Sequence, residues 1–381
     1  RLTDVTGVQT CALPIWQRIQ WGPAISDPRF AEADPLDLTD VLCSGANVLG
    51  VEVLYYGHGD GTWPGGKPGL LVRLELEYSD GTIELVVTDE SWLARVDRAH
   101  PPGQPKRWYL RALQEEFDAR LHPAGWTLPN YQPDAEWLPA MLLALAPDKP
   151  PLASGYWDYL RDWAIAPEAC QLLRRQVPLL REDGFIPASL RQQGRLGWLR
   201  SPEDWFDFRT PGSFTLTCEQ VVTEIEPGCF ELPAQQHDEG AILVFELPVQ
   251  SVGWPVFELE APAGATCELM TQESHDPETS PWLDTHFFAW SRFICAEGVN
   301  RFEAFEFESC KWLALHIHGA TGPVKLCEVG LRLRRFPWPN EPKVEVSEPP
   351  LQSLFEANVN TLHNCCFDLI TDGVGRERQP Y

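Results

Sequence analysis

Four charged residues crowd the final stretch, TDGVGRERQPY at 371–381. Asp372 and Glu377 stand five positions apart, Arg376 and Arg378 flank Glu377, and Tyr381 follows a proline. Paired carboxylates suit glycosidic-bond cleavage, in which one group protonates the leaving oxygen while a base activates water. Gly373 and Gly375 break a helix here, so both carboxylates are able to turn toward one cavity. The arginines can fix Glu377 or grip sugar hydroxyls. They also lower a neighbouring carboxyl's pKa, so an acid role for Glu377 needs burial or the charge of Asp372 to offset them. The same residue types also describe a solvated salt-bridge loop, and both readings stay open at this point.

Such a loop needs an element to hold it. Leu351, Leu354, Phe355, Val359, Leu362 and Cys366 recur at three- and four-residue steps, which predicts an amphipathic helix. Ser347 is placed to cap it, with Pro349 and Pro350 in its first turn. Residues 337–350, PWPNEPKVEVSEPP, read as an extended Pro-rich linker. A lone helix cannot bury its apolar face, so 351–381 reads as the start of a helical domain and the chain as cut at its end. The opening RLTDVTGVQTCALPI, residues 1–15, resembles translated sequencing adapter and is expected to be foreign.

Upstream the pattern is β. From 16 to 140 it includes ANVLGVEVLYYG and LLVRLELEYSDGTIELVVTDESW, the latter a hairpin turned by SDGT. Residues 141–209 show Pro-broken helical spacing and read as a mixed helical connector. Short strands return over 210–336. The expected fold class is mainly β: two β-sandwich domains, 16–140 and 210–336, a helical connector, and then a first helix.

The net charge of −25, from 55 acids against 30 bases, disfavours nucleic acid and anionic membrane surfaces as partners. No apolar run reaches membrane-spanning length. The 16 tryptophans in a chain with 35 Pro and 28 Gly fit carbohydrate recognition, since Trp faces stack on sugar rings, although large aromatics are more often buried filler. The 11 cysteines lack a CxxC pair or zinc spacing, so they read as reduced thiols, which favours a cytoplasmic setting.

Four segments resemble bacterial α-L-rhamnosidases of glycoside hydrolase family 78. LDLTDVLCSGANVLGVEV is similar to that family's DVTDLL…G.NVLGV segment, and GKPGLLVRLELEYSDGTIELVVTDESW to the sheet that follows it. FDARLHPAGW resembles YDAR…GW, and NCCFDLITDGVGRERQPY resembles the opening of the catalytic (α/α)6 barrel. The resemblance implies an inverting hydrolase of terminal α-L-rhamnose that needs no cofactor and acts on carbohydrate. It puts the general acid on Glu377 and a sugar-binding carboxylate on Asp372. Arg376 and Arg378 fall on the motif's basic positions, and Tyr381 on its Trp or Tyr position. Gly373 stands where many members carry Cys. The general base of the family is a Glu further along, so the fragment is expected to be inactive. Inverting geometry separates the two catalytic carboxyls by roughly 6.5–9.5 Å, so Asp372 is not assigned as the base.

Other residues carry weaker signals. His316 and His318 share one face of a predicted strand but lack an evident third metal ligand, so no metal is expected. His58, Asp60 and Trp63 sit in a Gly-rich loop suited to sugar or calcium. The polar loop 275–286, with Trp282, has the length to reach over a cavity. A non-catalytic carbohydrate-binding β-sandwich protein, or an interaction scaffold, also fits the composition.

Overall fold

Apolar runs bounded by turn residues become strands throughout the described part of the chain. The computed structural model describes residues 5–8, 17–20, 30–53, 69–101, 115–142, 171–182, 184–199, 214–280, 283, 290–340, 343–367 and 370–374. These residues are mainly β, with one α-helix among them. The chain divides into two units, 1–97 with 123–177 and 98–122 with 178–381.

In the first unit the strands pair two by two. β1 (Val5–Val8) lies antiparallel to β2 (Gln17–Gln20), so the segment expected to be foreign carries a strand. β3 (Phe30–Ala33) runs parallel to β9 (Gln171–Arg174), and β6 (Leu93–Ala94) pairs with β8 (Leu138–Pro139). The SDGT hairpin forms as β4 (Arg73–Glu77) and β5 (Ile83–Val87). Gly81 takes a φ of 82° at its turn, a conformation that suits glycine. Two motifs noted separately in the sequence meet here. A Cβ on Gly50, in the NVLG segment, would lie 2.6 Å from the Trp126 ring, in the AGW segment. Trp126 in turn stacks on Trp137 at 6.0 Å between centroids, and Trp137 Nε1 donates to the Tyr131 hydroxyl at 3.0 Å.

In the second unit 12 strands join one hydrogen-bonded network. They are β7 (Glu116–Asp118), β10 (Phe185–Pro187), β11 (Ser189–Trp198), β12 (Phe214–Thr217), β13 (Thr223–Glu226), β14 (Cys229–Leu232), β15 (Glu239–Ala261), β16 (Thr266–Gln272), β17 (Trp290–Ile294), β18 (Gly298–Glu303), β19 (Glu308–His318) and β20 (Val324–Leu333). The long β15 carries the topology. Its first half pairs with β11 and β19, its register breaks between Glu246 and Ser251, and its second half pairs with β18 and β20. The first half is covered on both faces. Ala241, Leu243, Phe245 and Leu247 enter the larger core, while Ile242 and Val244 pack on the other side with Leu196, Trp198, Met270 and Trp312. Period-two geometry thus turns a continuous apolar run into two cores, each full burial of a large side chain contributing about 1.5–3 kcal/mol.

The structure corrects three expectations. Within the stretch read as a helical connector, 171–174, 185–187 and 189–198 are strands. β11 escaped notice because Gln, Arg and Gly dilute its apolar signal; its alternation of exposed Arg191 and Arg195 with buried Leu196 and Trp198 is completed by its neighbours. The FDAR segment, expected within the 16–140 sandwich, contributes β7, which pairs in parallel with β17 in the second unit. The cysteines are not all reduced. β14 and β20 bring the Cα atoms of Cys229 and Cys327 to 4.4 Å, and the two form a disulfide.

Candidate functional site

The predicted helix forms as α1 (Pro349–Cys365). Its N-cap is Glu348 rather than Ser347, without a side-chain cap, and Pro349 and Pro350 open it, where missing N–H groups cost nothing. Gln352 reaches back instead, its Oε1 accepting from the Val346 N–H at 3.0 Å. Asn360 and Asn364 both donate to the Gln250 carbonyl of β15, at 2.9 and 3.1 Å. Leu351, Leu354 and Leu362, which carry the predicted stripe, are exposed.

The loop after α1 is pinned from below. Thr371 N–H donates to the Cys365 carbonyl at 2.9 Å, and Cys366 bridges to Ile370. Phe367 and Val374 are buried with Leu180 and Val252, and Phe307 packs beside them. The Arg334 guanidinium lies 4.2 Å from the Phe307 ring centre and 4.5 Å from that of Phe367. Between these anchors Asp372 is exposed. Arg376, Glu377, Arg378 and Tyr381 lie outside the described residues, as do His58, Asp60, Trp63 and Trp282. The polar loop from 275 is tied down at its root, where His275 Nε2 lies 2.8 Å from Gln192 Oε1.

The structure adds a cluster that the sequence did not connect. His316 and His318 do share a face of β19, with rings stacked at 4.8 Å. Glu268 of β16 stands directly across from His316, and Arg292 of β17 directly across from Glu268. Arg292 donates to Glu268 Oε1 through Nε at 2.8 Å and Nη2 at 2.6 Å. Oε2 of the same carboxylate lies 2.9 Å from His316 Nδ1 and 3.6 Å from His318 Nε2. Glu268 and His316 are fully buried, whereas the His318 side chain is 16% exposed. Burial alone would raise the Glu268 pKa, but hydrogen bonding and charge from the two imidazoles outweigh it and hold the carboxyl well below its usual range. Burial likewise drives His316 down to about 4, so it is neutral at pH 7. Glu268 is the third metal-ligating side-chain type that the sequence did not place beside the two histidines. Its signal was a lone charged residue within TCELMTQ, a run of otherwise uncharged residues.

Residues 29–151 match the family described as alpha-L-rhamnosidase N-terminal domain. That span contains the first three of the four segments singled out in the sequence. An alpha-L-rhamnosidase of Streptomyces avermitilis is 33% identical over 128 residues, which cover 32% of this chain and 12% of the relative. One from Alteromonas sp. (strain LOR) is 29% identical over 113 residues, covering 26% of this chain and 11% of the relative. Among solved structures, the GH78 family rhamnosidase of Bacillus sp. GL1 superposes with a TM-score of 0.73 at 17% identity, covering 98% of this chain and 55% of that one. The Streptomyces avermitilis alpha-L-rhamnosidase complexed with L-rhamnose gives 0.58 at 19% identity, covering 99% of this chain and 30% of that one. The fold is therefore shared along nearly the whole chain, while the chain spans no more than about half of these relatives.

Proposed function

Starting from a chain that is glycoside hydrolase family 78 rhamnosidase-like, we propose that it is the N-terminal part of an inverting α-L-rhamnosidase. The enzyme would release terminal α-L-rhamnose from glycosides or polysaccharides. In this reading each unit is built on a β-sandwich, α1 is the first helix of an (α/α)6 barrel, and 371–381 is its first catalytic loop. Glu377 acts as general acid toward the leaving oxygen. Asp372 binds the sugar being released, with Arg376, Arg378 and Tyr381 lining the same site. The base is a Glu beyond Tyr381, and residues 1–381 alone hydrolyse nothing. No cofactor takes part.

The observation that supports this best is the anchoring of the loop. Asp372 is presented outward between residues held by Phe367 and Val374, which is how a catalytic carboxylate keeps its position without being buried. The alternative, a non-catalytic carbohydrate-binding protein, draws on tryptophan content. Of the tryptophans whose side chains are described, 92, 126, 137, 198, 254, 312 and 338, none is exposed.

In the full-length enzyme, Glu377→Gln is expected to lower hydrolysis of rhamnosides by about 10²–10⁴-fold. The loss should be greater for alkyl rhamnosides than for p-nitrophenyl rhamnoside, because a poor leaving group depends more on the proton. Activity unchanged by the substitution removes Glu377 as the acid.

A further inference from the structure

Glu268, His316 and His318 have a geometry that the hydrolase reading does not use. One ligand atom from each lies within 4.8 Å of the other two. Zinc bonds of about 2.0–2.1 Å at tetrahedral angles set donor atoms roughly 3.3 Å apart. The measured separations from Glu268 Oε2, 2.9 Å to His316 Nδ1 and 3.6 Å to His318 Nε2, straddle that value. Two imidazoles and a carboxylate form a donor set that zinc accepts.

The surroundings fix these donors. Two residues apart on β19, the imidazoles project from one face of a strand paired on both edges. Arg292 occupies Oε1 of Glu268 and leaves Oε2 turned toward the histidines. Glu116 adds a second carboxylate 4.0 Å from the same guanidinium. The far edge of His316 lies over Gly240, where an added Cβ would collide with Nε2, and Trp198 packs edge-on at 5.5 Å. Supporting contacts of this kind orient ligating groups and tune affinity. With its Nδ1 on the metal, the His316 ring carries its single proton on Nε2.

We propose that Glu268, His316 and His318 bind a zinc ion within the second unit, with water as fourth ligand. The site depends on β16 and β19 and is independent of the proposed catalytic loop.

The test uses the whole chain, stripped of metal by chelator and titrated with Zn²⁺ and Co²⁺. One equivalent of zinc should bind and raise the Tm, whereas Mg²⁺, a control for the acidic surface, should not. Co²⁺ should give visible d–d bands without the intense near-ultraviolet absorption of thiolate ligation. His318→Ala, which alters the most exposed ligand, should weaken zinc by at least about 10–100-fold while leaving the metal-free Tm nearly unchanged. Absence of a zinc-dependent Tm rise in the unsubstituted chain overturns the proposal, whether or not the variant folds. Thiolate bands, or equal affinity in His318→Ala, overturn it as well. In those cases Arg292, Glu268 and His316 are a closed hydrogen-bond row and nothing more.

Discussion

The β4–β5 hairpin and the β15–β16–β19 strands use similar residues to opposite ends. In the hairpin, register sets Arg73, Glu75 and Glu77 opposite Val87, Leu85 and Ile83. The apolar residues of one strand thus share a face with the charged residues of the other, and Ile83, Leu85 and Val87 are exposed. In β15, β16 and β19 most positions are buried, and the apolar residues of β15 divide between two cores. Alternation alone does not say which face is inside; pairing register decides it. A charged residue in the hairpin needs only water. One in the covered strands needs a protein partner, which is why Glu268 has both Arg292 and His316.

The sharpest contrast expected is in thiol reactivity. Burial pushes the Cys267 and Cys310 thiols well up and that of Cys295 to about 12. The thiolate is the nucleophile, so at pH 8 these groups are both protonated and shielded. Cys218 is exposed. Iodoacetamide labelling mapped by peptide mass spectrometry should modify Cys218 quickly. The other three should react only through unfolding, slower by a factor on the order of 10³ or more. Labelling of Cys267 at the rate of Cys218 would mean that the covered strands open locally, and the contrast between the regions would collapse.

Next in size is Glu268→Ala in metal-free protein. It strands Arg292 beside a buried imidazole and should cost about 3–5 kcal/mol in urea unfolding. Pairing Glu268→Leu with Arg292→Met removes both charges and should cost clearly less: the buried His316 nitrogen loses its partner, but the Glu268–Arg292 pair leaves neither charge stranded. If the double variant is as unstable as the single one, the row contributes packing rather than charge matching.

What could be read from the sequence follows the same division. The SDGT hairpin, α1 and the strands from 239 to 333 were visible because each signal is local: a turn, a three-four periodicity, an apolar run. The matched span 29–151 likewise rested on motifs whose residues touch, as Gly50 and Trp126 do. What escaped was set by pairing between distant segments. β11 became a strand through β12 and β15 despite its polar residues, and Cys229 met Cys327 across 98 positions. His316 and His318 were noticed, but Glu268 lies 48 positions before His316 and joins them only through β16–β19 register. The carboxylate loop was legible as chemistry, and its anchor on Phe307 and Arg334 was not, because that contact depends on how the strands bring Phe367 over them.

The smallest effect should come from the hairpin. Ile83 is 63% exposed, opposite Glu77 on its neighbour. Ile83→Thr keeps a β-branched side chain, so strand preference is preserved and little buried area is lost. The Tm and urea midpoint should move by no more than about 0.5 kcal/mol in stability. A similar Val244→Thr exchange on β15 puts a hydroxyl among Leu196, Trp198 and Met270, where burying an unpaired hydroxyl costs roughly 1–3 kcal/mol. Equal costs at the two sites would show that the Ile83 face is covered in solution. The hairpin would then belong with the buried strands, and its mismatched register would be a docking surface rather than a free one.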